Sequence, residues 1–140
     1  MEDNTVKLFL DSCVIIYWLE AKQPFYGKFI KKLEKIHHSF SDANIIISRL
    51  SVLECLVQPI RENNKELQRL YNNFFSNLDI EIIELDADII NLATQLRAKF
   101  YLKTPDAIQA ACVLSLNTEV KFITNDSSFN NIPGLQIIGI

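Results

Sequence analysis

Val6-Lys7-Leu8-Phe9-Leu10-Asp11-Ser12-Cys13-Val14-Ile15-Ile16-Tyr17-Trp18-Leu19 is the stretch on which the fold turns. Val6 to Leu10 is a compact apolar run, Asp11-Ser12 ends it, and Cys13 to Leu19 continues at a spacing compatible with a buried helix. The simplest parse is a strand feeding directly into a helix, with a carboxylate at the junction. The same grammar recurs outward from it. Asn44 to Ser48 is a short β-branched run, and Arg49 to Val57 resumes helical spacing until Pro59, which is expected to stop it. Ile80 to Leu85 reads as a third strand and Ala87 to Phe100 as a helix. Thr104-Pro105-Asp106 reads as a Thr cap with Pro in the first position of a nearly all-apolar helix to Leu116. Phe122 to Thr124 and Leu135 to Ile140 are two more short apolar runs, separated by the polar turn Asn125-Asp126-Ser127-Ser128.

Two further helices fill the intervals. Phe25 to His38 sets Phe29, Leu33 and Ile36 on one face and Lys28, Lys31, Lys32 and Lys35 on the rest. Leu67, Leu70, Tyr71, Phe74, Phe75 and Leu78 fall on one apolar face of another. Strands alternating with helices predict an α/β fold, a central parallel sheet of about five strands covered on both faces. In such open sheets, sites form beyond the carboxyl ends of the strands, where Asp11 and Asp126 lie.

The chain has 140 residues, 49% of them hydrophobic, and too little Gly or Pro to suggest a linker, so one domain over 1–140 is expected. The net charge of -3 neither announces nor excludes nucleic acid; an anionic partner would need a local basic surface or bound metal. Cys13, Cys55 and Cys112 stand singly in apolar segments and read as reduced core residues, without zinc-like spacing. Met1-Glu2-Asp3-Asn4 lacks the start of a secretion signal and no apolar run is long enough to span a bilayer, so a cytoplasmic protein without a membrane role is expected.

The chemistry rests on four acids, Asp11, Glu54, Asp106 and Asp126, each placed where an apolar stretch meets a helix start or a turn. Each also has an ordinary structural use. Asp11 can cap a helix, Asp126 can hold a turn, Asp106 can complement a helix dipole, and Ser51-Val52-Leu53-Glu54 matches a capping box. Two details favour a site. Glu54 lies within Val52-Leu53-Glu54-Cys55-Leu56-Val57, where an unpaired buried carboxylate is costly. Asp106 is the only charge from Pro105 through Leu116, on a helix whose Ala107, Ala110 and Ala111 permit close packing. Gathered at one sheet edge, such carboxylates repel by about 3 kcal/mol per pair at ~5 Å and an effective dielectric of ~20, unless a cation lies between them.

These residues resemble a PIN-domain nuclease, most closely the VapC-type toxins of toxin–antitoxin pairs, nearly end to end. Leu8-Phe9-Leu10-Asp11-Ser12 resembles the first family motif, and Ser48 with Glu54 the second. Thr104-Pro105-Asp106-Ala107 followed by Ala110-Ala111 resembles the third, and Thr124-Asn125-Asp126 with Phe129 the fourth. The resemblance implies a three-layer α/β/α sandwich with sheet order 3-2-1-4-5 and metal-dependent cleavage of RNA. It also implies a homodimer and a cognate antitoxin that occludes the acidic site.

Mg2+ or Mn2+ suits an all-oxygen site. Asp11 with Asp106 or Asp126 is expected to contact metal, and Glu54 to orient or deprotonate the attacking water. Ser12, Thr104 and Asn125 are candidates to fix carboxylate orientation or touch phosphate, though capping and turn formation would use them equally well. Lys28, Lys31, Lys32, Lys35, Lys99 and Lys103 are candidate RNA contacts, against their plainer use as solvated faces. His37-His38 read as partners of a helix C-terminus, and Tyr71, Phe74 and Phe75 as core packing ahead of base stacking; Tyr17, Trp18, Phe25 and Tyr26 stay open between the two. An aspartyl phosphatase would need a second Asp where Cys13 stands, and a receiver-type domain would need paired acids at the first strand and a Lys after the last. The rival from another class is a noncatalytic PIN-like module that binds RNA or protein.

Overall fold

The computed structural model describes residues 6–39 and 43–140, without the side chains of residues 37–39. Met1 to Asn4 and the side chains of His37 and His38 therefore lie outside the described residues. Strands Val6–Leu10 (β1), Ala43–Ser48 (β2), Ile80–Ile83 (β3), Val120–Thr124 (β4) and Gln136–Gly139 (β5) form one sheet in the order β3-β2-β1-β4-β5. All four pairings are parallel, the order and orientation that the resemblance implied. Helices Ser12–Leu19 (α1), Phe25–Ser39 (α2), Arg49–Arg61 (α3) and Lys65–Phe75 (α4) fill the first two crossovers, and Ala87–Phe100 (α5) and Thr104–Leu114 (α6) fill the third. A short 3-10 turn, Ser127–Phe129, separates β4 from β5.

The period-2 alternation of each strand divides the core between two faces. Leu8, Leu10, Ile47 and Ile123 pack with Val14, Ile15, Phe29 and Tyr71 from α1, α2 and α4. Phe9, Ile46 and Phe122 face the other way, against Ala93 and Leu96 of α5 and Ala107, Ala110 and Ala111 of α6. Helices thus cover both faces, three layers deep. The small side chains of α6 let it lie close to the sheet, and Asp106 travels with it. Tyr101 ends α5 in the left-handed conformation (φ 58°) and Arg97 Nη1 donates to Leu102 O at 2.9 Å, turning the chain sharply into α6.

Several local expectations differ from the structure. Pro59 does not stop α3: its ring is buried and its carbonyl accepts from Asn64 N and Gln68 Nε2, so the helix runs on to Arg61. Leu78 lies beyond α4 and is fully exposed, while Tyr71 is buried and stacked on Phe75, and Phe74 packs edge-on to Phe75 and to Trp18, which is tilted against Phe29. Thr104 is not the cap of α6; Lys103 takes that place because its carbonyl already accepts from Ala107 N, which makes Pro105 the second helical residue. Cys55 and Cys112 are buried as expected, but Cys13 is only half-buried. Among the described residues, no helix is long and apolar enough to cross a membrane.

Candidate functional site

Strand register builds the site. Leu10 pairs with Ile123, and Asp11 N continues the ladder by donating to Ile123 O at 3.1 Å, which brings Asp11 beside Thr124 at the carboxyl ends of two central strands. Asp11 then opens α1, accepting from Ser12 N at 2.9 Å through Oδ1, so the capping use of this residue holds. Thr124 Oγ1 donates to Asp11 Oδ2 at 2.7 Å and accepts from Asp126 N at 3.0 Å. One hydroxyl therefore ties the first acid to the turn that carries the fourth. Asp126 also accepts from Ser128 N at 2.9 Å, the turn-forming use of a short carboxylate.

Glu54 arrives from α3. The capping-box expectation for it fails, because Ser48, at the end of β2, is the cap that accepts from Ser51 N. Glu54 instead reaches across to α1, where Ser12 Oγ donates to its Oε1 at 2.8 Å. Asp106, in the first turn of α6, completes the set. Asp11, Glu54, Asp106 and Asp126 line one open cavity, together with Ser12, Cys13, Gln109 and Asn125 and without any Lys, Arg or His.

The electrostatics follow from that gathering. Burial pushes Asp106 up to about 6, and the charges of Asp126, Asp11 and Glu54 push the same way against the weaker pull of Lys103. Asp11 is raised too, chiefly by burial and slightly by Asp126, although donors from Thr124, Gln109 and Ser12 oppose the rise. Burial beside Asp11 lifts the Cys13 thiol to about 12, so it stays protonated and is no nucleophile at neutral pH.

Among the described residues, no group of three or more His, Cys, Asp or Glu side chains is arranged to hold a metal ion as it stands. The acids rim the cavity without meeting at a point. The donor set nonetheless fits a hard divalent cation, since its oxygens are uncompensated by any lining cation. Mg2+ in particular keeps several waters and takes only one or two carboxylates directly. Asp11, Asp106 and Asp126 would hold it, with Glu54 beside them.

Of the other candidates, Ser12 sits between Glu54 and Ser51 (2.7 Å between hydroxyl oxygens), as a carboxylate-fixing residue should. Asn125 lines the cavity, but its amide nitrogen donates to Tyr17 Oη at 2.9 Å, and Tyr17 in turn stacks on Phe25. Thr104 is not brought to the site; it is exposed on an apolar groove between α5 and α6 with Ile90, Arg97 and Tyr101. Lys28, Lys31, Lys32, Lys35, Lys99 and Lys103 are all exposed outside the cavity lining, with Lys28 over the Phe25 ring and Lys99 over that of Phe100. Two residues were missed. Thr124 enters the sequence only as a strand end and as a member of the fourth motif, with no role of its own, and Gln109 is lost in an apolar helix, although it is the one polar side chain between Asp106 and Ser115 other than a thiol.

Known structures share this architecture. The crystal structure of VapBC2 from Rickettsia felis bound to a promoter DNA fragment contains a similar chain (TM-score 0.74, 19% identity, 96% of this chain and 99% of that one covered). DNA-bound VapBC from Salmonella typhimurium gives 0.73 at 19% identity, covering 96% and 98%. A toxin–antitoxin complex from Klebsiella pneumoniae gives 0.66 at 20%, covering 94% and 95%. At such identities the likeness is one of fold. No curated protein shows significant similarity to the chain. The family model for the PIN domain, however, matches residues 8–135, a span that holds all four acids and every helix and ends just before the last strand, and the chain accordingly belongs to the PIN domain family.

Proposed function

We propose that the chain is a metal-dependent endoribonuclease that hydrolyses RNA phosphodiester bonds, and that it is the toxin of a type II toxin–antitoxin pair. The observation that carries this reading is the convergence of four acids from the end of β1, α3, α6 and the β4 turn on one cavity that, among the described residues, no Lys, Arg or His lines. When bound, Mg2+ or Mn2+ supplies neutralisation of the scissile phosphate and a more acidic water. Asp11 offers it a carboxylate already fixed by Thr124, Ser12 and Gln109, while Asp106 and Asp126 add charge to the same cavity. Glu54, steered by Ser12, is placed to orient or deprotonate the attacking water. The six exposed lysines are candidate phosphate contacts outside the cavity.

Support for the biological setting is coarser. The structural relatives are parts of toxin–antitoxin complexes, which favours a cognate antitoxin here, and a homodimer belongs to the same reading. Exposed Leu53, Val57 and Ile60 of α3 and Leu70 of α4 offer a partner an apolar surface. Three free cysteines suit a cytoplasmic, single-domain protein over 1–140. The test is incubation of labelled RNA with the purified chain in Mn2+ or chelator, beside Asp11→Asn. Cutting that needs both the cation and Asp11 is expected; RNA binding without cation-dependent cutting would make the chain a noncatalytic module.

A further inference from the structure

We infer that Gln109 is a positioning residue, which sets the direction of a buried hydrogen-bond network and thereby aims Asp11 and Glu54 into the cavity. The inference rests on the reading of that cavity as a divalent-cation site. Gln109 is 1% exposed, and Ser48 and Ser51 are wholly buried beside it, with Ser12 at 8%. A primary amide and three hydroxyls beneath a sheet edge are costly unless every group is bonded. Here they are: among the described residues, no buried side-chain nitrogen or oxygen lacks a partner.

Counting protons fixes the direction of each bond, because a serine has only one to give. Ser48 Oγ accepts from Ser51 N, and its own proton goes to Gln109 Oε1 at 2.5 Å. The two N–H donors of the amide are thereby turned toward three acceptors, Ser51 Oγ at 3.1 Å and Asp11 Oδ1 and Ser12 Oγ at 3.3 Å each, so that one donor is shared between two of them. Ser12 gives its proton to Glu54 Oε1, so in the Ser12–Ser51 pair it is Ser51 that donates. Once the amide oxygen has accepted the Ser48 proton, donation runs outward from the amide nitrogen, directly to Asp11 Oδ1 and through Ser51 and Ser12 to Glu54 Oε1. A flipped amide would set its oxygen against Asp11 Oδ1, acceptor facing acceptor. A network that served only packing would have no need to end on both acids.

Two variants of the full chain test this. Gln109→Met keeps the length of the side chain and removes its donors and acceptor, while Ser48→Ala removes the proton that orients the amide. The readout is Mn2+ binding without RNA, followed by the electron paramagnetic resonance signal of free Mn2+, well below a melting temperature measured in chelator. Wild type is expected to bind, Gln109→Met to bind at least about tenfold more weakly, and Ser48→Ala to weaken in the same direction by less. A lower melting temperature with unchanged Mn2+ affinity in the folded variants would show mere packing and overturn the inference. If Gln109→Met does not fold, Ser48→Ala decides, and unchanged affinity there is equally fatal. Absence of Mn2+ binding by the wild type would instead overturn the cation site itself, and this inference with it.

Discussion

Asp11 and Asp106 face the same cavity and are held in opposite ways. Asp11 lies at the end of a central strand, almost fully buried, with both oxygens engaged by Ser12 N, Gln109 Nε2 and Thr124 Oγ1. Asp106 sits in the first turn of a helix, half-buried, and among the described residues no hydrogen bond reaches its carboxylate; its surroundings are like charges and the single countering Lys103. The first carboxylate is oriented before any cation arrives. The second is destabilised until one does. Together they describe a site in which part of the geometry is built into the sheet and part of the driving force is stored in a carboxylate penalised by burial and then by like charges.

The contrast can be broken most severely at its ordered member. Asp11→Asn should lower cation-dependent RNA cleavage on the order of a thousandfold, measured as the initial rate on labelled RNA, because it removes the charge whose two oxygens are both held in a fixed direction. Thr124→Val should be milder: the charge stays but its Oδ2 donor and the acceptor of Asp126 N are lost, and cleavage and Mn2+ affinity should each fall about 10–100-fold. An unchanged Thr124→Val enzyme would mean that the orientation of Asp11 does not matter.

At Asp106 the contrast is sharpened by pH. Proton and cation compete for Asp106, so Mn2+ affinity should rise by up to about tenfold per unit as pH climbs toward about 6 and level off above it. In Asp106→Asn that rise should flatten along with the loss of cleavage. Stability in chelator should respond in the opposite sense. Asp106 binds its proton more tightly in the folded chain than at its ordinary value of 3.8, so it costs the native state stability as pH rises from about 4 to about 6, and this cost persists above. Asp106→Asn should therefore melt higher than wild type at pH 7 in chelator, by roughly 1 kcal/mol once solvent screening of a half-exposed group is allowed for. No gain, or a loss, would show that the repulsion is already relieved.

Much of this was legible in the chain because the signals are local. The compact apolar run of Val6 to Leu10, the β-branched run ending at Ser48 and the helical spacing after each gave the elements, and the acids at their junctions gave the candidate site. What escaped depends on pieces meeting across the sheet. The Ser51–Glu54 spacing imitates a capping box, and only the end of β2 at Ser48 shows that the cap lies three residues earlier. Thr104 and Thr124 look alike in sequence, but Leu10–Ile123 register delivers the second to Asp11, whereas a helix start at Lys103 leaves the first exposed. Gln109 interrupts an apolar helix for no reason visible in its neighbours, since its partners come from β1, β2 and α3.

The most direct measurement is anomalous X-ray scattering from crystals of the chain soaked in Mn2+. The account predicts a peak inside the cavity bounded by Asp11, Asp106 and Asp126, weakened or lost in Asp106→Asn. Mn2+ bound only elsewhere on the surface, or a cavity that stays without a peak at saturating concentration, would contradict it.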